Sequence, residues 1–169
     1  VKNTEERIQA ISLVHQMLYQ SRDLSRISIR DYVSELSEII MRSFGVHDGR
    51  ITLDLEIDEQ YFLLDTAIPF GLILNELMTN SFKYAFPDNR NGIIRINLEK
   101  GESGHNMLNY SDNGVGVPDG FDFRKQNTMG LQLVYGIGER QMMGKVTMVN
   151  SSGVTCRFEF HNNLYSPRV

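Results

Sequence analysis

Residues 68–86 are the most apolar stretch of the chain, and a polar stripe runs through them. Ile68-Pro69-Phe70-Gly71-Leu72-Ile73-Leu74 leads into Asn75-Glu76-Leu77-Met78-Thr79-Asn80 and then Ser81-Phe82-Lys83-Tyr84-Ala85-Phe86. The spacing predicts a helix in which Glu76, Asn80 and Lys83 recur at i, i+4 and i+7 and project from one face. A helix otherwise rich in Leu, Ile, Met and Phe is buried nearly all round. A carboxylate, an amide and an amine aligned inside it are costly unless something polar meets them. Further along, a strand-like run gives way to a glycine turn at Ser111-Asp112-Asn113-Gly114-Val115-Gly116-Val117-Pro118. Together these features point to a pocket for a charged small molecule, with a nucleotide–magnesium complex the leading candidate.

The rest of the chain narrows the class. At 169 residues it fits one domain with a short attached segment. A formal charge of −4 argues against general nucleic-acid binding, which calls for a basic surface. The single cysteine, Cys156, provides neither a disulfide framework nor a structural zinc site and reads as a packed thiol. His15, His47, His105 and His161 are scattered without metal-ligand spacing. No run approaches the ~18–20 apolar residues that span a bilayer, and no signal-peptide pattern is present, so a cytoplasmic setting without membrane contact is expected.

Residues 4–20 read as a helix whose apolar positions (Ile8, Ile11, Val14, Leu18, with Ala10, Leu13 and Met17) cover more than one face. Such a helix packs on a partner helix as well as on a core. A second helix is expected from 29 to 44, opened by Ser28 with Asp31 and stopped by Gly45. Residues 51–57 alternate as a half-buried strand. The apolar helix is expected to start at Thr66 as N-cap, which places Pro69 in the tolerant first turn. Strands follow at 93–98 and 106–112, then a long polar loop over 113–129, a helix over 130–143, and strands at 145–150 and 154–160. The order implies an α+β two-layer sandwich, a mixed sheet covered on one face by helices.

Each part of the constellation has a plain reading beside the functional one. Asn80 offers a hard oxygen ligand suited to Mg²⁺, and Glu76 one turn earlier could order a metal-bound water or accept a proton. On the helix alone they read equally as a hydrogen-bonded buried pair. Lys83 and Tyr84 could line a phosphate-bearing pocket, but in isolation they are a solvated amine and an interfacial ring. Asp112 at a strand end could accept from an exocyclic amine, with Gly114 and Gly116 permitting close backbone approach. Asp-Asn-Gly by itself is an everyday turn. Gly130-Leu131 opens a helix whose free amides could face phosphate.

The ordered set is far more specific than any member, and it resembles the nucleotide-binding boxes of the GHKL ATPases (the Bergerat fold), within them the sensor histidine kinases. Residues 75–87 resemble the N box, 112–116 the first glycine box, 129–134 the second, and 153–160 the closing strand motif. Residues 7–21 are similar to the second dimerization helix of the subfamily related to the HWE kinases. The resemblance implies ATP and Mg²⁺ as cofactors, with Asn80 binding the metal and Glu76 as catalytic carboxylate. It implies that Asp112 reads the adenine amino group, Lys83 and Tyr84 flank the nucleotide, Gly114, Gly116 and Thr155 shape its pocket, and Gly130 and Leu131 anchor the lid. Phe121 and Phe123 are expected to tether that lid, with Arg124 or Lys125 near phosphate. Thr128 stands where many relatives carry the first glycine of the second box. Residues 1–24 are then expected to be a remnant of the second dimerization helix, 25–163 the catalytic domain and 164–169 a tail.

The activity implied is transfer of the ATP γ-phosphoryl group to a histidine carried on a first dimerization helix, which this sequence does not include. The partners implied are the dimerization helices of the parent kinase, a homodimer in the full protein, and the receiver domain of a response regulator. Two rival readings are a GHKL serine kinase acting on a regulatory protein and a nucleotide-holding module without turnover.

Overall fold

The computed structural model describes residues 2–20, 25–46 and 49–162, with backbone alone for Lys2 and Asn3. In chain order the elements are α1 (Lys2–Gln20), β1 (Ile27–Ser28), α2 (Ile29–Ser43), β2 (Ile51–Ile57), β3 (Tyr61–Phe62) and α3 (Leu64–Asn80). They continue with β4 (Gly92–Lys100), β5 (His105–Asp112), α4 (Met129–Tyr135), β6 (Lys145–Asn150) and β7 (Val154–His161). The main sheet has five strands in the order β2-β4-β5-β7-β6. β2 runs parallel to β4 and every other neighbour pair is antiparallel, so the expected α+β architecture with a mixed sheet is what forms.

Alternation along the strands decides which face is covered. Ile94, Ile96 and Leu98 of β4, Leu108 and Tyr110 of β5, and Cys156, Phe158 and Phe160 of β7 are all buried beneath the helices. The opposite face is polar and carries pairs such as Arg95 with Asp54 at 3.2 Å and Asn97 with Glu56 at 3.2 Å. Phe158 stacks on Phe160 with centroids 4.7 Å apart, and Phe70 of α3 lies 5.6 Å from Phe160. Burial pushes the Cys156 thiol up to about 12, consistent with a packed, unreactive group.

The start of α3 differs from expectation. β3 pairs with β1 up to Phe62, and the helix begins directly afterwards with Leu63 at the cap position and no side-chain cap. Thr66 lies inside the first turn, where its amide and that of Ala67 donate to the Leu63 carbonyl at 3.1 and 2.9 Å. Pro69 therefore falls in the second turn and removes one intrahelical bond, instead of occupying a position where no bond is due. The α2 cap is as expected, with the Asp31 amide donating to Ser28 Oγ at 3.4 Å.

Two features pack the other helices around α3. On α1, Glu6, Ala10, Leu13 and Val14 are buried while Ile8 and Tyr19 are 58% and 85% exposed, so one of its two apolar faces meets the domain. Tyr32 of α2 is fully buried and donates from its hydroxyl to the Ala10 carbonyl at 3.2 Å. This is possible because position 71 is glycine: a Cβ there would lie 1.8 Å from the Tyr32 hydroxyl oxygen.

The loop after β5 is anchored in its second half. Asp122 caps a short 3-10 turn over Phe123–Lys125, and Phe123 is buried edge-on to Phe121. Arg124, one of the two basic residues expected near phosphate, is engaged within the protein. It chelates Glu139 at 2.6 and 3.1 Å, sits 4.4 Å over the Tyr135 ring and donates to the Val146 carbonyl at 3.2 Å. Its fixed planar fork suits the paired carboxylate and the ring face together.

Gly71→Ala should force the buried Tyr32 ring aside, loosen α1 and destabilise the domain by about 1–3 kcal/mol, the scale of overpacking, as read by the urea unfolding midpoint. Arg124→Ala should change global stability by less than about 1 kcal/mol, because the ion pair is largely exposed. It should nonetheless accelerate hydrogen exchange over residues 119–126, measured by mass spectrometry.

Candidate active site

The polar side of α3 becomes progressively more exposed toward its C-terminus. Glu76 is 2% exposed, Asn80 is half-buried, Lys83 is exposed and Tyr84 is 69% exposed. The expected stripe thus runs from a buried floor at Glu76 to a rim at Lys83 and Tyr84. After Asn80 the helix widens into a π-helical turn over Ser81–Ala85, a distortion that recurs at functional sites.

The floor is closed from two sides. From α4, Gly130 approaches so closely that a Cβ there would lie 2.8 Å from Glu76 Oε2 and 3.8 Å from Asn80 Oδ1. Leu131, the next residue, is buried and holds the start of α4 in place. From α1, Arg7 Nε donates to Glu76 Oε1 at 2.6 Å and Nη1 donates to Met129 Sδ at 3.1 Å. That bond and the Glu76 charge hold the guanidinium protonated above its ordinary value. Asn75 Nδ2 lies 3.5 Å from the same carboxylate oxygen.

Asp112 forms the other end. It is 6% exposed at the end of β5. Oδ1 accepts from the Gly114 amide at 3.0 Å and the Val154 amide at 3.2 Å, and Oδ2 accepts from Ser81 Oγ at 2.7 Å. With its proton committed to the carboxylate, Ser81 can only accept from Tyr110, whose hydroxyl also reaches the Leu77 carbonyl at 3.2 Å. Burial drives the Tyr110 hydroxyl well above its usual value, so it stays a donor. A carboxylate has about four lone-pair sites, of which three are used here, leaving room for one further donor.

The loop beyond Asp112 lies against the π turn. Gly114 abuts Ala85, and the Val115 amide donates to the Ala85 carbonyl at 2.9 Å. Gly116 takes a left-handed φ of 70° beside Asn150. Asn150 braces the loop from β6, accepting from the Val117 amide at 3.2 Å and donating to its carbonyl at 2.9 Å. Thr155 is half-buried on β7 at the register position opposite Ser111.

Glu76, Asn80 and Gly130 are therefore brought together, as are Asp112 and Gly114, while Lys83 and Tyr84 stand at the rim. Sequence reasoning missed Arg7, Ser81 and Asn150. Ser81 directly follows the stripe, but only the π turn and the register of β5 reveal its bond to Asp112. Arg7 and Asn150 carry no local signal, since their partners lie 69 and 33 residues away. Among the described residues no cluster of three or more His, Cys, Asp or Glu side chains is placed to hold a metal by itself. No helix among them is long and apolar enough to cross a membrane.

Residues 1–44 match the family described as histidine kinase, and residues 65–165 the family described as histidine kinase-, DNA gyrase B-, and HSP90-like ATPase. Blue-light-activated histidine kinase 2 of Erythrobacter litoralis is 25% identical over 144 residues, which cover 78% of this chain and 40% of that protein. Sensor histidine kinase PdtaS of Mycobacterium tuberculosis is 26% identical over 143 residues, covering 84% of this chain and 28% of its own length. The chain thus spans less than half of these curated relatives. In fold it superposes on the histidine kinase domain of the Erythrobacter litoralis EL346 blue-light activated histidine kinase with a TM-score of 0.84, at 18% identity. That match covers 98% of this chain and 82% of the other. The catalytic domain of histidine kinase ThkA superposes with a TM-score of 0.62 at 20% identity, over 82% of this chain and 95% of that one. With the second family matched over more than half of its length, the chain belongs to the histidine kinase-, DNA gyrase B- and HSP90-like ATPases, and its first 44 residues match the histidine kinase family.

Proposed function

We propose that this domain binds Mg-ATP between Asp112 and Glu76 and transfers the γ-phosphoryl group to a histidine on a dimerization helix of the parent kinase. The observation that carries the reading is the pair of buried carboxylates near the C-terminal end of α3, Asp112 of β5 fully oriented by three donors and Glu76 of α3 facing the glycine in the first turn of α4. Asp112 accepts from the adenine amino group with its remaining lone pair, and the Gly114–Gly116 loop and Thr155 frame the base. Lys83 and Tyr84 at the rim, with Gly130 and Leu131, flank the phosphates.

Asn80 and Glu76 present oxygen donors near Gly130, a sparse set suited to an ion that takes its remaining ligands from phosphates and water. Mg²⁺ held there would neutralise charge developing on the phosphoryl oxygens. In the transfer, a neutral imidazole nitrogen forms the bond to Pγ while the bond to the bridging oxygen breaks and ADP leaves with its electron pair. The opposite ring N–H gives its proton to Glu76, so the phosphohistidine ring is left neutral.

The match of residues 1–44 to the histidine kinase family supports histidine over serine as acceptor. We read residues 1–24 as part of a dimerization hairpin and 25–163 as the catalytic domain. The boundary at 24, residue 163 and the tail over 164–169 lie outside the described residues, as does His47. In the parent protein the partners are a second copy of the kinase and a receiver domain, with ATP drawn from the cytoplasm.

Asp112→Asn should weaken ATP binding by about 1–3 kcal/mol, the scale of hydrogen bonds to a charged group, and reduce the preference for ATP over GTP. Calorimetric titration with both nucleotides checks this; equal affinity in wild type and variant would remove Asp112 from the adenine site. With the acceptor helix supplied, Glu76→Gln should slow phosphohistidine formation about 10²–10⁴-fold, the range for a lost general base, while ATP affinity is largely kept. Acid-labile label from γ-³²P-ATP appearing on His15, exposed on α1, would place the acceptor elsewhere than proposed.

A further inference from the structure

Glu76 is buried, yet its charged partner comes from α1 and not from the catalytic domain's own sheet or loops. Arg7 donates from Nε to Oε1 at 2.6 Å and from Nη1 to the thioether of Met129, the first residue of α4. Its Nη2 is buried and has no hydrogen-bond partner among the described residues. Next to it, Glu6 is also buried and accepts from Thr79 of α3 at 3.4 Å and Ser43 of α2 at 3.2 Å. The contact between α1 and α3 is therefore polar at two successive residues, in an interface that apolar side chains such as Leu13 and Val14 already fill.

Stability does not explain Arg7. Burying an ion pair costs desolvation of both charges, and leaving a guanidinium donor unmet adds to that cost. A well-packed apolar pair would serve the interface at least as well. What the pair does supply is orientation. A glutamate side chain has several rotatable bonds, and fixing Oε1 on Arg7 leaves Oε2 as the oxygen that faces Gly130. A proton arriving on Oε2 leaves the bond from Arg7 to Oε1 intact.

We propose that Arg7 is a positioning residue for phosphoryl transfer: from α1 it anchors one oxygen of Glu76, presents the other to the acceptor imidazole, and so makes proton acceptance depend on α1 being docked. The inference rests on the role proposed above for Glu76. It adds to that role a second requirement, met by a helix outside the ATP-binding fold proper. The link to Met129 places the start of α4 under the same guanidinium, so docking of α1 also sets the lid-side wall of the site.

The test uses the full-length kinase, extending through its acceptor helix, with steady-state phosphohistidine formation measured against ATP concentration. Arg7→Ala should lower kcat about 10- to 100-fold, the cost of a misplaced catalytic group, with KM for ATP nearly unchanged; the melting temperature should fall as well, because the buried Glu76 carboxylate loses its charged partner. Arg7→Lys should recover part of the loss, and added guanidinium ion should restore Arg7→Ala but not Glu76→Gln. The double variant Arg7→Ala/Glu76→Gln should be no slower than Glu76→Gln alone, because the two residues act as one unit. The proposal is overturned if Arg7→Ala leaves kcat unchanged, or raises it, as a contact that merely blocked Glu76 would require. It is also overturned if the variant loses melting temperature and ATP affinity together without rescue by guanidinium. If Glu76→Gln itself transfers at the wild-type rate, the assignment of Glu76 fails and the role of Arg7 fails with it; normal loss in Glu76→Gln with none in Arg7→Ala overturns the inference alone.

Discussion

Most of α3 is buried, and the polar residues on it and in the turn that follows impose the constraint around which the other elements are arranged. Asn75, Glu76, Thr79 and Ser81 are all under 4% exposed. Buried groups of this kind need partners, or the fold loses the free energy of their hydration. The partners arrive from two directions, Arg7 and Glu6 from α1 and Tyr110 and Asp112 from β5. Satisfying the helix and assembling the site are the same event, so the site is not an addition to an already complete core.

The two ends of the site are held differently. Asp112 is fixed by two backbone amides and a serine hydroxyl, all within the sandwich. These donors are in place before any ligand arrives, which suits recognition of a base at little reorganisation cost. Glu76 depends on a side chain from a helix that lies outside the sheet and exposes its second apolar face at Ile8 and Tyr19. In the reading proposed above, the carboxylate that accepts the proton is thereby tied to the position of α1, whereas the one that recognises the base is held within the sandwich itself.

Much of the architecture was legible because it is written in local periodicity. The alternation of Ile51 to Ile57 and of residues 93–98 forms neighbouring parallel strands, and the Ser28 cap and Gly45 stop bound α2 as read. β1 and β3 are two residues each, too short to leave an alternating pattern. Their pairing moved the start of α3 ahead of Thr66. The partners of Arg124 were hidden for a related reason: Glu139, Tyr135 and the Val146 carbonyl, which receive its fork, lie 11 to 22 residues away in sequence.

The sequence by itself determined the apolar helix, its polar stripe, the strand-end aspartate and the glycines that allow close approach, since each rests on residue type and short spacing. Only the tertiary structure decided that Ser81 orients Asp112, that Asn150 braces the glycine loop and that Arg7 reaches Glu76. Those contacts join residues 31, 33 and 69 positions apart. Hydrogen bonds and ion pairs act over a few ångströms of space, and no local pattern records which distant side chain the closed sheet will deliver to that distance.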